Sequence, residues 1–254
     1  MINTVYRLAE PRRFEIAFED IELFGQNAIV RPTHLSICNA DMRYYLGTRD
    51  PKVLAQKLPM ALIHEGIGKV VFDPTGTFKS GDRVVMVPNA PCEKDDYIAE
   101  NYLKTSKFCG SSMDGFLQEY VEISPKRLVP LPQGINLNVA AFTEIVSVSV
   151  HAITRFNKIA HARRERIGVW GDGNLGYITA LFLKKTFPQS QIFVFGKTYG
   201  KLSDFTFADA TYPVNAIPSG LTVDHAFECV GGNGSPVAIE QIIDLFKPEG
   251  TISL

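Results

Sequence analysis

The sequence predicts an α/β plus β protein of two domains: a compact barrel-like domain of short strands, then a parallel, doubly wound sheet. Three observations carry this. The first half is made of short β-like runs separated by turn chemistry. The second half changes period, and strand-like runs alternate with helical ones. The first strand of that half leads directly into Gly171-Asp172-Gly173-Asn174-Leu175-Gly176, the glycine pattern that opens a dinucleotide-binding unit when a helix follows.

Taken in order, strands are expected at residues 15–18, 27–32, 68–72, 83–87 and 118–123. The turns Asp73-Pro74-Thr75-Gly76 and Lys79-Ser80-Gly81-Asp82 punctuate them. An apolar helix over 137–156 leads out of this domain, so the expected division is 1–150 and 151–254. Residues 166–170 form the next strand, and 175–187 read as a helix lying on a sheet. Further strands are expected at 192–195, 211–214, 223–227 and 251–254, with a helix at 236–246. The chain stops inside the last of these strands, and a doubly wound dinucleotide domain normally has six. The second domain is therefore expected to be incomplete at its fifth strand.

Bulk properties narrow the function. The chain has 254 residues, 45% of them hydrophobic, and a net charge of −1. That argues against disorder and against a field that attracts nucleic acid or an anionic membrane. Residues 1–18 carry Arg7, Glu10, Arg12, Arg13 and Glu15 and contain no apolar run suited to a signal peptide. The most apolar stretch, 139–153, is interrupted by Glu144 and His151 and is too short to span a bilayer. A soluble, cytoplasmic protein is expected. The four cysteines, Cys38, Cys92, Cys109 and Cys229, form no C-x-x-C pair, so neither a zinc knuckle nor a redox dithiol is readable.

Cys38, the pair His64-Glu65 and Glu144 together offer a thiolate, an imidazole and two carboxylates. That is the donor set of a catalytic zinc, which takes three protein ligands and keeps one position open. Each has a plainer reading. A lone Cys38 is a small buried hydrophobe, His64-Glu65 is a surface pair, and Glu144 is a salt-bridge partner inside an apolar helix. The glycine motif brings the backbone at Gly171, Gly173, Asn174, Leu175 and Gly176 to a pyrophosphate at a helix N-terminus. Asp172 sits awkwardly there, because a carboxylate repels a pyrophosphate unless it points away. An NAD site wants an acid at the end of its second strand. This chain has Gly196, followed by Lys197, Thr198 and Lys201, which suit a 2′-phosphate, so NADPH is expected over NADH. Cys92 and Cys109 are too few for a closed structural zinc site and read as ordinary thiols.

These residues resemble the zinc-dependent medium-chain dehydrogenase/reductase family, in its polyol dehydrogenase branch, over the whole chain. Ile63-His64-Glu65-Gly66-Ile67-Gly68 is similar to the family's zinc signature, and Lys79-Ser80-Gly81-Asp82-Arg83-Val84 to its barrel turn. Thr143-Glu144-Ile145-Val146-Ser147-Val148 resembles the Glu-Pro-Leu-Ser element, and Glu228-Cys229-Val230-Gly231-Gly232 the end of the fourth nucleotide-domain strand. The resemblance implies a GroES-like catalytic domain followed by a Rossmann domain. It also implies a catalytic zinc on Cys38, His64 and Glu144 with Glu65 in or beside its ligand set, and a cofactor site that includes Cys229. Three departures stand out: Ile63 where the family often has glycine, Ala40 where it often has a relay hydroxyl, and no four-cysteine lobe. The proton route then falls to water or to another side chain.

Cys38-Asn39-Ala40-Asp41-Met42-Arg43-Tyr44-Tyr45 and Trp170-Gly171-Asp172-Gly173-Asn174-Leu175-Gly176-Tyr177 are similar to members that reduce D-ribulose 5-phosphate to D-ribitol 5-phosphate for teichoic acid or capsule synthesis. The expected partners are a phosphorylated ketose and, by resemblance, a second or further copies in a homodimer or homotetramer. Arg43 has two readings, a fork for the substrate phosphate or an ion pair with Asp41 or another acid. The rivals to this function are an NADP-linked polyol dehydrogenase for unphosphorylated substrates and a non-catalytic NADPH-binding protein.

Overall fold

The computed structural model describes residues 1–23 and 25–254. It divides into two units, Met1–Glu144 and Ile145–Leu254, where the sequence placed the join near residue 150.

The first unit opens on a hairpin of β1 (Ile2–Glu10) and β2 (Arg13–Asp20). Sequence reading places a strand only at 15–18 here. β1 escapes it because its buried residues, Asn3, Val5 and Leu8, break strict alternation between Val5 and Leu8. β3 (Ala28–Ser36) then leads into α1 (Asn39–Tyr45) and α2 (Pro51–Lys57). The two-residue strand β4 (Met60–Ala61) and β5 (Glu65–Phe72) follow. β6 (Arg83–Met86), the small hairpin β7 (Asn89–Ala90) and β8 (Lys107–Phe108), β9 (Val121–Ile123) and β10 (Leu128–Pro130) complete the strands. They form a five-stranded sheet in the order β10-β6-β5-β3-β9 and a three-stranded one, β2-β1-β4. The pairings are antiparallel. Leu8, Val30, Tyr44, Met86, Phe116 and Ile123 fill the core between them.

The apolar helix expected over 137–156 is two helices, α3 (Leu137–Ala140) and α4 (Thr143–Ile159). The Thr143 hydroxyl donates to the Ala140 carbonyl at 2.6 Å, and the Phe142 amide bonds only three residues back, to Val139. The ladder therefore breaks at Ala141-Phe142, which apolar spacing alone does not reveal. The break puts Glu144 in the first turn of a new helix.

In the second unit β11 (Arg166–Trp170) is followed by α5 (Asn174–Thr186), β12 (Gln191–Gly196), α6 (Tyr199–Leu202) and β13 (Ala210–Pro213). β14 (Val223–Glu228), α7 (Ser235–Leu245) and β15 (Phe246–Ser253) follow. The sheet is parallel, in the order β13-β12-β11-β14-β15. Counted within the unit that is 3-2-1-4-5, the doubly wound order with its switch point between β11 and β14. Side chains alternate as a pleated strand requires. Ile167, Val169, Ile192 and Val194 pack with Ile153, Phe156 and Leu183. Trp170, Phe193 and Phe195 pack on the other side with Ala238 and Ile242 of α7. Both faces are covered, which is why these strands read as continuous apolar runs. Among the described residues no helix is long and apolar enough to cross a membrane.

Candidate functional site

Three side chains named from the sequence converge in the first unit. Cys38 sits at the N-cap of α1, while His64 and Glu65 lie where the chain enters β5. Single ligand atoms of the three lie within 4.8 Å of one another, with His64 and Glu65 buried and Cys38 half-buried. Among the described residues no other three His, Cys, Asp or Glu side chains converge this closely. Glu144 is not in that tight group, but its charge is felt there. Burial lifts its carboxyl to about 7, His64 opposes the rise, and Glu65 and Asp41 add to it.

The donor atoms are unusually poor in partners. His64 Nδ1 and Glu65 Oε1 are buried without a hydrogen bond, although buried polar atoms are paired in the great majority of cases. Asp41 Oδ1 approaches His64 Nδ1 only to 3.6 Å, beyond hydrogen-bond range. Burial disfavours charge on His64, yet its contacts with Asp41 and Cys38 outweigh that and lift the imidazole from 6.5 to about 10.

Asp41 is the residue that sequence reading missed. It is buried, its Oδ2 accepts the Cys38 amide at 3.0 Å, and its Oδ1 accepts the Ile63 amide at 3.0 Å. One carboxylate thus ties the start of α1 to the strand end that carries His64-Glu65. The signal was present, because an acid three residues after a helix N-cap is half of a capping box. The alternative pairing of Arg43 with Asp41 does not form. Arg43 is exposed in the last turn of α1 and makes no ion pair among the described residues. Cys109 is buried, which pushes its thiol up, and Arg127 Nη2 reaches its sulfur at 3.5 Å; Cys92 is exposed.

The glycine turn lies at the switch point of the second unit. Gly171 has φ +132° and packs so tightly that a Cβ would meet the Cys229 carbonyl at 2.8 Å. A Cβ on Gly176 would lie 2.0 Å from the Gly171 oxygen, so helix and turn touch only because both are glycine. Gly173 is the N-cap of α5, has open space around it and provides no side-chain cap. The first-turn amides, including those of Asn174 and Leu175, therefore keep their capacity for an anion. Cys229 is half-buried, with its thiol beside Thr179. Burial drives it up to about 12, Thr179 opposes the shift and Glu228 adds to it, so what Cys229 sets against Gly171 is its backbone. Lys197, Thr198 and Lys201 are exposed just beyond β12.

Residues 25–133 match the model of the alcohol dehydrogenase GroES-like domain. The ribulose-5-phosphate reductase of Bacillus spizizenii is 57% identical over 254 residues, all of this chain and 74% of the relative. The chain belongs to the zinc-dependent medium-chain dehydrogenase/reductase family. Ribulose-5-phosphate reductase 1 of Staphylococcus aureus is similar to the same degree, 57% over 254 residues, again covering all of this chain and 74% of the relative. Among solved structures, S. aureus TarJ in complex with NADPH matches with a TM-score of 0.83 at 50% identity, over 99% of this chain and 72% of that one. In this member of the family, Ile63, which precedes the histidine, adopts φ +72°. A β-branched residue is a genuine outlier there. That conformation aims the Ile63 amide at Asp41 and its carbonyl at the Phe116 amide, 2.6 Å away.

Proposed function

We propose that the chain reduces a phosphorylated ketose, D-ribulose 5-phosphate, to D-ribitol 5-phosphate with NADPH, using zinc held by Cys38, His64 and Glu144 with Glu65 in or beside the ligand set. The observation that carries this reading is the convergence of Cys38, His64 and Glu65 within 4.8 Å, two of them with buried, unpartnered donor atoms. A soft sulfur, an imidazole nitrogen and a carboxylate suit zinc rather than calcium or magnesium. Such an ion supplies Lewis acidity to a substrate carbonyl, and NADPH supplies the hydride.

The chain's own residues do the remaining work. Asp41 holds the two ligand-bearing segments together and adds negative charge beside His64. Glu144 holds a proton up to about 7 because it is buried, with Glu65 and Asp41 nearby; a cation held beside it would favour its ionised form. The uncapped amides of α5 fit the cofactor's pyrophosphate, and Gly171 and Gly176 keep side chains out of its way. Lys197, Thr198 and Lys201 suit a 2′-phosphate. Arg43, free of ion pairs among the described residues, is the proposed fork for the substrate phosphate. Similarity to relatives named ribulose-5-phosphate reductase supports the substrate. A cytoplasmic location and a homodimer or homotetramer accompany the proposal.

The test is elemental analysis of the purified protein together with NADPH oxidation dependent on ribulose 5-phosphate. About one zinc per chain and ketose-dependent turnover are expected. Bound NADPH without metal and without turnover would instead indicate a cofactor-binding protein.

A further inference from the structure

Asp172 is an acid in the middle of a turn expected to face a pyrophosphate, and the structure gives it an occupation. Its Oδ2 accepts the amides of Lys197 at 2.9 Å and Thr198 at 2.7 Å. These are the first two amides beyond β12. Its side chain also fills the space that a residue other than glycine would need at position 196. A Cβ there would lie 2.7 Å from Asp172 Cβ, 2.9 Å from Asp172 Oδ2 and 2.9 Å from Leu202 Cδ2. Gly196 and Asp172 are therefore complementary. An acid at the end of β12, the usual means of holding a ribose 2′-hydroxyl, is sterically excluded while Asp172 is in place.

We propose that Asp172 is a positioning residue for cofactor choice: by clamping the Lys197 and Thr198 amides and excluding a side chain at 196, it fixes the turn that tells a 2′-phosphate from a 2′-hydroxyl. The proposal rests on the reading that this unit binds NADPH. The two amides are already satisfied by a protein carboxylate, so recognition of the phosphate falls to the side chains of Lys197, Thr198 and Lys201. Those side chains are exposed, so the backbone beneath them sets where they start from. Two charge-assisted bonds to one carboxylate hold it. The carboxylate's own charge opposes a phosphate, but that is an exposed, screened interaction and is outweighed by the fixed geometry.

The experiment measures binding, so metal loading does not enter. The dissociation constants of NADPH and NADH are titrated by nucleotide fluorescence or calorimetry for the parent protein, Asp172→Ala and Asp172→Asn. Asp172→Ala is expected to lower the preference for NADPH about tenfold, the scale of one charged hydrogen bond. Asp172→Asn keeps an acceptor oxygen and loses the charge, so its preference should equal or exceed the parent's. If alanine leaves the ratio unchanged or raises it, or if asparagine lowers it as far as alanine does, the proposal is wrong. A purely structural role would weaken both nucleotides equally and leave the ratio alone. Gly196→Ala gives an independent check. Its loss of NADPH affinity should shrink severalfold in the Asp172→Gly background, which removes both Asp172 atoms that a Cβ at 196 would meet, and a loss of equal size in both backgrounds overturns the proposed complementarity. A parent protein that binds neither nucleotide would refute the cofactor reading itself, which is a different result.

Discussion

Asp41→Asn is the substitution that bears most directly on the metal reading. Asp41 is 2% exposed and accepts two amides, that of half-buried Cys38 and that of buried Ile63, at 3.0 Å each. Leaving a buried donor unsatisfied costs about 1–3 kcal/mol. Asparagine presents one acceptor oxygen where aspartate presents two, so one amide loses its partner and stability should fall by about that amount. Asp41→Ala orphans both and should cost roughly 2–6 kcal/mol. The charge matters separately. Partners that support metal ligands are worth about 10–100-fold in affinity, or roughly 1.4–2.7 kcal/mol. Asp41→Asn should weaken zinc by that factor in chelator competition, while a thermal melt reports the stability loss. The imidazole supplies a further readout. Asp41 is the leading cause that lifts His64 to about 10, and a ligating imidazole must give up that proton. Zinc binding near pH 7 should therefore release a proton from His64, measurable by calorimetry in buffers of different ionisation enthalpy. Less proton should be released by Asp41→Asn. Unaltered zinc affinity and unaltered proton release in that variant would refute the placement of the metal beside Asp41.

Three further outcomes are expected. The second unit should lose stability as pH falls. Burial and the neighbouring His161 hold His225 below its usual 6.5, and its Nδ1 accepts the Thr251 amide at 3.2 Å. The unfolded chain binds the extra proton first, so the loss begins below 6.5 and continues through the lower folded value. Asp224 is buried, which alone would raise its pKa, but the Arg166 amide and then Lys247 hold it below 3.8, so its contribution is lost only at still lower pH. Melts from pH 8 to 2 check both windows, and His225→Gln should flatten the first. Ile63→Gly should cost less than the roughly 2–5 kcal/mol typical of large-to-small core changes, because it relieves about 1–2 kcal/mol of left-handed strain; denaturant unfolding measures it. Arg43→Ala should raise KM for ribulose 5-phosphate about tenfold or more, the scale of a charged hydrogen bond, while leaving an unphosphorylated ketose unaffected. Equal effects on the two ketoses would show that Arg43 does not read the phosphate.

Local chemistry made the second unit legible. Strand, glycine turn and helix are contiguous, and the central strands β11, β12 and β14 are buried on both faces, so these strands and α5 fall within a residue or two of where periodicity places them. The first unit yielded less. β4, β7 and β8 are two residues long, too short to have a period, and the break between α3 and α4 depends on one hydroxyl. The donor set of the proposed metal site was readable as residue types. Its closeness was not, because Cys38 and His64 meet through a fold-back that no local pattern encodes.

What escaped the sequence has a common physical form. Asp41 holds the Cys38 and Ile63 amides, Asp114 the Ala61 amide, Asp172 the Lys197 and Thr198 amides, and Asp224 the Arg166 amide. Each carboxylate binds backbone at the end of a regular element, where no ladder satisfies the amide. Except for the Asp41–Cys38 bond, the partners are 22–58 residues apart. An aspartate that serves a distant amide looks in the sequence like any surface acid, since its partner has no side-chain signature. The consequence is chemical as well as architectural. Asp41 stands beside the proposed metal and Asp172 beside the proposed 2′-phosphate, so the groups that fix the two loops also add charge to the two sites. Asparagine keeps an acceptor and removes the charge, whereas alanine removes both, and the pair of substitutions at each position therefore separates the mechanical role from the electrostatic one. At Asp41 charge and geometry act together on a cation, so both substitutions should weaken metal binding. At Asp172 they oppose one another on an anion, so alanine should lower the NADPH preference and asparagine should not.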